Sequence, residues 1–84
     1  MTRLWRTGTP IEAHTTADGD LQAFTWQGAR HTVTVVANRW RVDLDWWEQH
    51  IWREYFKLAT DTGLLVIVYH DLAANTWSLQ RLYD

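Results

Sequence analysis

Three short turn signals limit what this chain can fold into. Asp18-Gly19, Gly28-Ala29 and Asp61-Thr62-Gly63 each stand between runs in which apolar and polar residues alternate. Strict alternation broken by tight turns is the pattern of β-hairpins and leaves little room for helices of ordinary length. Asp-Gly is a type I′ signal; with Ala17 opposite Asp20 it sets His14 opposite Ala23, Ala13 opposite Phe24 and Ile11 opposite Trp26. Gly28 at a first central position suits type II′, which sets Phe24 opposite Val33 and Trp26 opposite His31. The two registers then place Ile11, Ala13, Phe24, Trp26, Val33 and Val35 on one face. Glu12, His14, Thr25, Arg30, Thr32 and Thr34 fall on the other, as in an antiparallel sheet with one wet side. Strands near 10–16, 21–27 and 30–41 follow.

The second half uses the same device. Asp61-Thr62-Gly63 is a three-residue turn with glycine at the left-handed position, placing Leu58 opposite Val66 and Phe56 opposite Val68. A longer loop from Asp71 to Asn75 returns the chain so that Val68 faces Leu79. One face collects Phe56, Leu58, Leu64, Val66, Val68, Trp77, Leu79 and Tyr83. The other holds Tyr55, Leu65, Ile67, Tyr69 and Leu82 beside Lys57 and Gln80, so this sheet needs covering on both sides, by the first meander, by the intervening linker or by a second copy of the chain. The expectation is an all-β domain, a six-stranded antiparallel meander closing as a small barrel or sandwich. It is a single domain over 1–84, with 1–9 a loosely ordered N-terminal arm.

A domain of 84 residues needs large side chains to build a sufficient core, and seven tryptophans answer that need. A net charge of −2 gives no overall basic field, which disfavours tight non-specific nucleic-acid binding while leaving a local basic strip open. The chain has no cysteine, so disulfides and thiolate chemistry are excluded. Neither a signal-peptide pattern nor an apolar run of membrane-spanning length is present, and a cytoplasmic protein is expected.

Four of the tryptophans, Trp40, Trp46, Trp47 and Trp52, fall between the two halves, together with Arg39, Arg41 and Arg53. One short helical turn near 43–48 is open to this linker, since Asp43 or Asp45 could cap it and Glu48 stands in capping-box spacing from Asp45. Adjacent residues of extended chain point to opposite sides, so Trp46 and Trp47 do not easily enter one core. Either one plugs an open end of the barrel, or the indoles and arginines form an exposed platform for a peptide or for stacked bases. These seven residues are the candidate binding site.

Other chemistry is thinly represented. His14, His31, His50 and His70 lack metal-ligand spacing, and neither a metal site nor a cofactor is expected. Acidic residues are not paired by any recognisable spacing, and no nucleophile motif or phosphate loop occurs, so no catalytic residue is assigned. Arg81 falls by alternation on the face of Leu79 and Tyr83, as an edge charge or as a buried guanidinium paired with a carboxylate such as Asp84.

The succession Phe24-Thr25-Trp26-Gln27-Gly28, Val33 to Val36, Arg39-Trp40, Trp46-Trp47, Tyr55-Phe56-Lys57-Leu58, Gly63-Leu64-Leu65-Val66 with Tyr69 and Asp71, and Trp77-Ser78-Leu79-Gln80-Arg81-Leu82-Tyr83-Asp84 resembles a small Trp-rich bacterial domain family of unknown function. That family occurs alone and as a C-terminal tail on proteins related to Y-family translesion polymerases, including the inactive polymerase-like subunit of the mutasome. The likeness runs from about Pro10 to Asp84. The chain departs from it at the first hairpin, where arginines flanking the turn are implied and Gln27, Ala29 and only Arg30 are found. The resemblance implies a setting in DNA damage tolerance and no activity. The expected function is a non-enzymatic protein–protein adaptor that binds a partner or itself, with single-stranded nucleic-acid binding through the Trp/Arg-rich segment as the alternative.

Overall fold

The computed structural model describes residues 3–46 and 49–83, and side chains over 8–45 and 50–83. Among the described residues there is no helix. Seven strands run β1 (Arg3–Pro10), β2 (Glu12–Thr15), β3 (Leu21–Trp26), β4 (Ala29–Trp46), β5 (Gln49–Thr60), β6 (Leu65–Asp71) and β7 (Thr76–Tyr83). All neighbours are antiparallel, and the spatial order is β1-β7-β6-β5-β4-β3-β2. Six strands were expected. The seventh is β1, which pairs with β7 (Leu4 opposite Arg81, Thr9 opposite Leu79) where a loosely ordered arm had been read. The two outer strands of the sheet are separated by Ile11 alone, whose N–H donates to the Trp77 carbonyl at 3.1 Å. A sheet whose first and last strands are consecutive in sequence has to curl, and this one forms a half-barrel in place of the closed barrel or sandwich.

The hairpins account for the registers. Ala17-Asp18-Gly19 is a three-residue loop, with Thr16 and Asp20 joined by a backbone bond of 2.8 Å and Gly19 at φ 87°. Asp61-Thr62-Gly63 repeats it, with Gly63 also at φ 87°. Ala13 opposite Phe24 and His14 opposite Ala23 are as expected, although the first turn is one residue longer than read. A bulge between His14 and Thr15 absorbs the difference. The second turn needs a correction. Gln27 and Gly28 carry φ 51° and 75°, so they are the central pair of a type I′ turn, and Phe24 lies opposite His31, not Val33. The slip is two residues, which preserves the faces.

The core is built from Leu21, Phe24, Phe56, Leu58, Val66, Val68, Leu79 and Leu82, with Ile11, Ala13, Trp26, Val33, Leu64 and Trp77 packed against it. Leu58 opposite Val66, Phe56 opposite Val68 and Val68 opposite Leu79 agree with the sequence reading. Three register shifts overturn its remainder. The register shifts between Ile67 and Val68, which turns Leu82 inward and leaves Tyr83 and Arg81 on the outer face. Arg81 there lies 5.7 Å from the Tyr83 ring, on the side of the sheet away from Leu79. Irregularities between Val33 and Val35 and between Val36 and Asn38 likewise leave Val35 and Val36 more than half exposed.

The outer face of the second half is covered within the chain. Tyr55 and Tyr69 are buried there at 5.4 Å from each other, Trp40 stacks on Tyr55 at 5.4 Å, and β1 lies over Tyr69. Gly8 makes that close approach feasible. It has φ +75°, and a Cβ at this position would fall 2.7 Å from the Tyr69 hydroxyl.

Phe24 is fully buried, so Phe24→Ala should cost about 3–5 kcal/mol in chemical denaturation, enough to unfold much of a domain this small. Gly8→Ala should cost about 1 kcal/mol or more through both its φ and its contact with Tyr69. Rapid amide exchange along Ser78–Leu82 in that variant, against protection in the parent, would report the release of β1.

Candidate functional site

Six of the seven candidate residues, all but Trp47, lie on strands β4 and β5, which pair as a long ribbon. Its ladder runs without a break from Asn38 opposite Lys57 to Trp46 opposite Gln49. Asp43 to Trp46 and Gln49 to His50 are therefore extended strand, because pairing across the ribbon satisfies the backbone groups that a single capped turn would leave open. Trp47 and Glu48 lie outside the described residues, as does the side chain of Trp46, and with them the choice between an indole that plugs the barrel and an exposed platform.

The ribbon outgrows the sheet. β6 pairs with β5 only over Arg53–Ala59, and β3 pairs with β4 only over Ala29–Thr32. Beyond Val42 and Arg53 toward the tip, two strands pair with each other and the described residues supply no third. The radius of gyration, 12.7 Å, is correspondingly a little above the roughly 12 Å of a compact chain this size. Leu44 and Trp52 are exposed on this projection, and Trp52 stacks loosely on His50 at 6.4 Å.

Alternation divides the arginines between the two faces. Arg39 and Arg41 point to the concave, core-side face and converge on Glu54, at 2.8 and 3.1 Å, with Arg39 also 3.8 Å from Asp20. Arg39 lies over the Phe56 ring at 5.1 Å. Arg53 points the other way, over the Tyr69 ring at 4.5 Å and toward the Tyr55 hydroxyl at 3.4 Å. Trp40 shares the face of Arg53, whereas Trp52 shares that of Arg39 and Arg41. The five candidates whose side chains are described, Arg39, Trp40, Arg41, Trp52 and Arg53, thus share one hairpin and two surfaces. A single basic strip does not form.

Glu54 is the residue that spacing concealed. Burial opposes its ionisation, but the hydrogen bonds from Arg39 and Arg41 and their charges prevail and hold its carboxyl below the ordinary 4.5. Toward the tip, His50 hydrogen-bonds Asp43 through Nε2 and faces Asp45 from Nδ1 at 3.8 Å. The Asp43 bond foremost, and both carboxylate charges, raise its pKa above 6.5 against a small opposing desolvation. The two carboxylates sit on opposite ring nitrogens and do not converge. Among the described residues no His, Cys, Asp and Glu are gathered so as to hold a metal ion.

Where β3 and β4 part after Thr32, a cleft of about 290 Å³ opens, lined by Asp20, Leu21, Val36, Arg39 and Phe56. It is at the lower end of the size that takes small molecules, and the Arg39 guanidinium already occupies one wall. No described helix is long and apolar enough to cross a membrane. Compared with protein-family models, curated proteins and solved structures, the chain matches none.

The Glu54 pairing has a definite pH sign. A carboxyl whose folded-state pKa is depressed stabilises fully above its unfolded value and loses that contribution as pH falls through the folded value. Thermal stability should therefore decline below about pH 4.5. Glu54→Gln should lower stability by about 1 kcal/mol at neutral pH, the arginines being half exposed, and flatten the acid limb of a melting-temperature profile.

Proposed function

We propose that this chain is a non-enzymatic protein–protein adaptor acting through the projecting β4–β5 ribbon. The observation that carries the reading is the ribbon itself, two strands long past the sheet and bearing exposed Leu44 and Trp52. Large rigid aromatic side chains beside apolar neighbours bury much area for little lost conformational freedom, which is why tryptophan is enriched among binding hot spots. The resemblance to tails of translesion-polymerase-like proteins directs the search for a partner to cytoplasmic DNA damage tolerance.

Single-stranded nucleic acid is the weaker alternative. Arg39 and Arg41 are committed to Glu54, Arg53 is folded onto Tyr69, and the ribbon carries Asp43 and Asp45 as well. The tyrosines beneath Trp40 are buried, so they offer no free face to a base.

The test is capture from extracts of damaged cells on the immobilised full chain, followed by affinity measurement with the purified partner. Trp52→Ala should leave the melting temperature within a few degrees of the parent and weaken binding by about 2 kcal/mol. Capture indifferent to Trp52, together with oligonucleotide binding that falls steeply with salt, would replace the adaptor reading by the nucleic-acid one.

A further inference from the structure

The outward edge of β4 is open beyond Thr32, and its polar groups can be assigned. The Trp52 carbonyl accepts the Leu72 N–H at 2.9 Å, so the Trp52 backbone faces β6 and away from β4. Asp43, opposite Trp52, is therefore in a non-hydrogen-bonded pair, and its own N–H and C=O point to the free edge. Since the ladder is unbroken here, Arg39, Arg41 and Asp45 also turn their amides outward, while Trp40, Val42 and Leu44 bond to β5. The Arg39 N–H indeed bonds the Asn38 side chain at 2.8 Å in place of a strand partner.

The residues on this edge read Arg39-Trp40-Arg41-Val42-Asp43-Leu44-Asp45, and their charges reverse sign about Val42. We propose that this edge pairs with the same edge of a second copy of the chain, antiparallel and centred on Val42. In that register Arg41 meets Asp43 of the other copy and Arg39 meets Asp45, each pair exchanging both backbone hydrogen bonds with opposite charges side by side on the concave face. On the convex face Trp40 meets Leu44 and Val42 meets Val42, covering apolar surface that is exposed in one copy. A slip of two residues either way brings Arg41 against Arg41 or Asp43 against Asp43 and leaves two opposite-charge pairs in place of four, so charge favours the central register. The contact is isologous and closes as a dimer with a four-stranded ribbon at its centre. This goes beyond the adaptor reading and does not rest on it, because it needs only the purified chain.

Analytical ultracentrifugation of the full chain should show a monomer–dimer equilibrium. Arg41→Asp and Asp43→Arg should each weaken the dimer about tenfold or more, by setting like charges opposite one another twice per interface. An equimolar mixture of the two variants should recover the dimer, since each aspartate then faces an arginine. Thermal unfolding checks that the variants stay folded. Val42→Cys leaves the arginine pairing intact and covers the case in which a reversal unfolds the ribbon: across a non-hydrogen-bonded pair, roughly 4.5 Å between Cα atoms, the two thiols are within disulfide reach. It should cross-link under mild oxidation, and Val35→Cys should not. A parent chain monomeric up to its solubility limit, a dimer indifferent to both reversals, or equal cross-linking at both cysteines would overturn the proposal.

Discussion

One strand, β4, serves two neighbours in turn, and the rest of the structure follows from that division. Its first four residues pair with β3 and those from Val33 onward with β5. Backbone groups inside a sheet must be paired, so the change of partner forces the irregularities between Val33 and Asn38 and opens the cleft beside Phe56. At the other end of the sheet β1 and β2, joined through Ile11, divide in the same way between β7 and β3. The curl of the half-barrel is the geometric result of two such divided strands.

The length of β4 also accounts for the charge arrangement. A ribbon that leaves the sheet loses the neighbouring side chains that would otherwise cover it, and polar residues take over on its concave face. Glu54 sits where the ribbon joins the body, and the two arginines that meet it hold β4 against β5 at the last position where a third strand still supports them. Exposed ion pairs contribute little, but Glu54 is only 13% exposed, and its two partners share the cost of ordering.

Much of the pairing was legible because turns and alternation act locally. Leu58 opposite Val66 and Phe56 opposite Val68 follow from where Gly63 stands. What escaped sequence reasoning was what no local residue declares. The bulge by Gln80 that exchanges Leu82 for Tyr83 in the core has no glycine or proline to mark it, and follows from the demand that β7 match β6 and β1 at once. The turn at Gln27-Gly28 was misread by one position because glutamine rarely adopts a positive φ. The candidate residues were read as a linker between two halves, and their separation onto two faces depended on reading 39–46 and 49–50 as strand. The aspartates at 43 and 45, favourable as caps, pointed to a helical turn instead.

The sequential order of the sheet carries a consequence for synthesis. From β3 to β7 each strand pairs with the one made just before it, so hairpins can form as the chain emerges. β1 is the exception: its partner β7 comes some seventy residues later, and closing so long a loop has to await the rest. The earliest-made strand of this sheet is thus the last to find its place. Until then Tyr69 lacks the cover of Gly8, and the nascent sheet has an open aromatic flank.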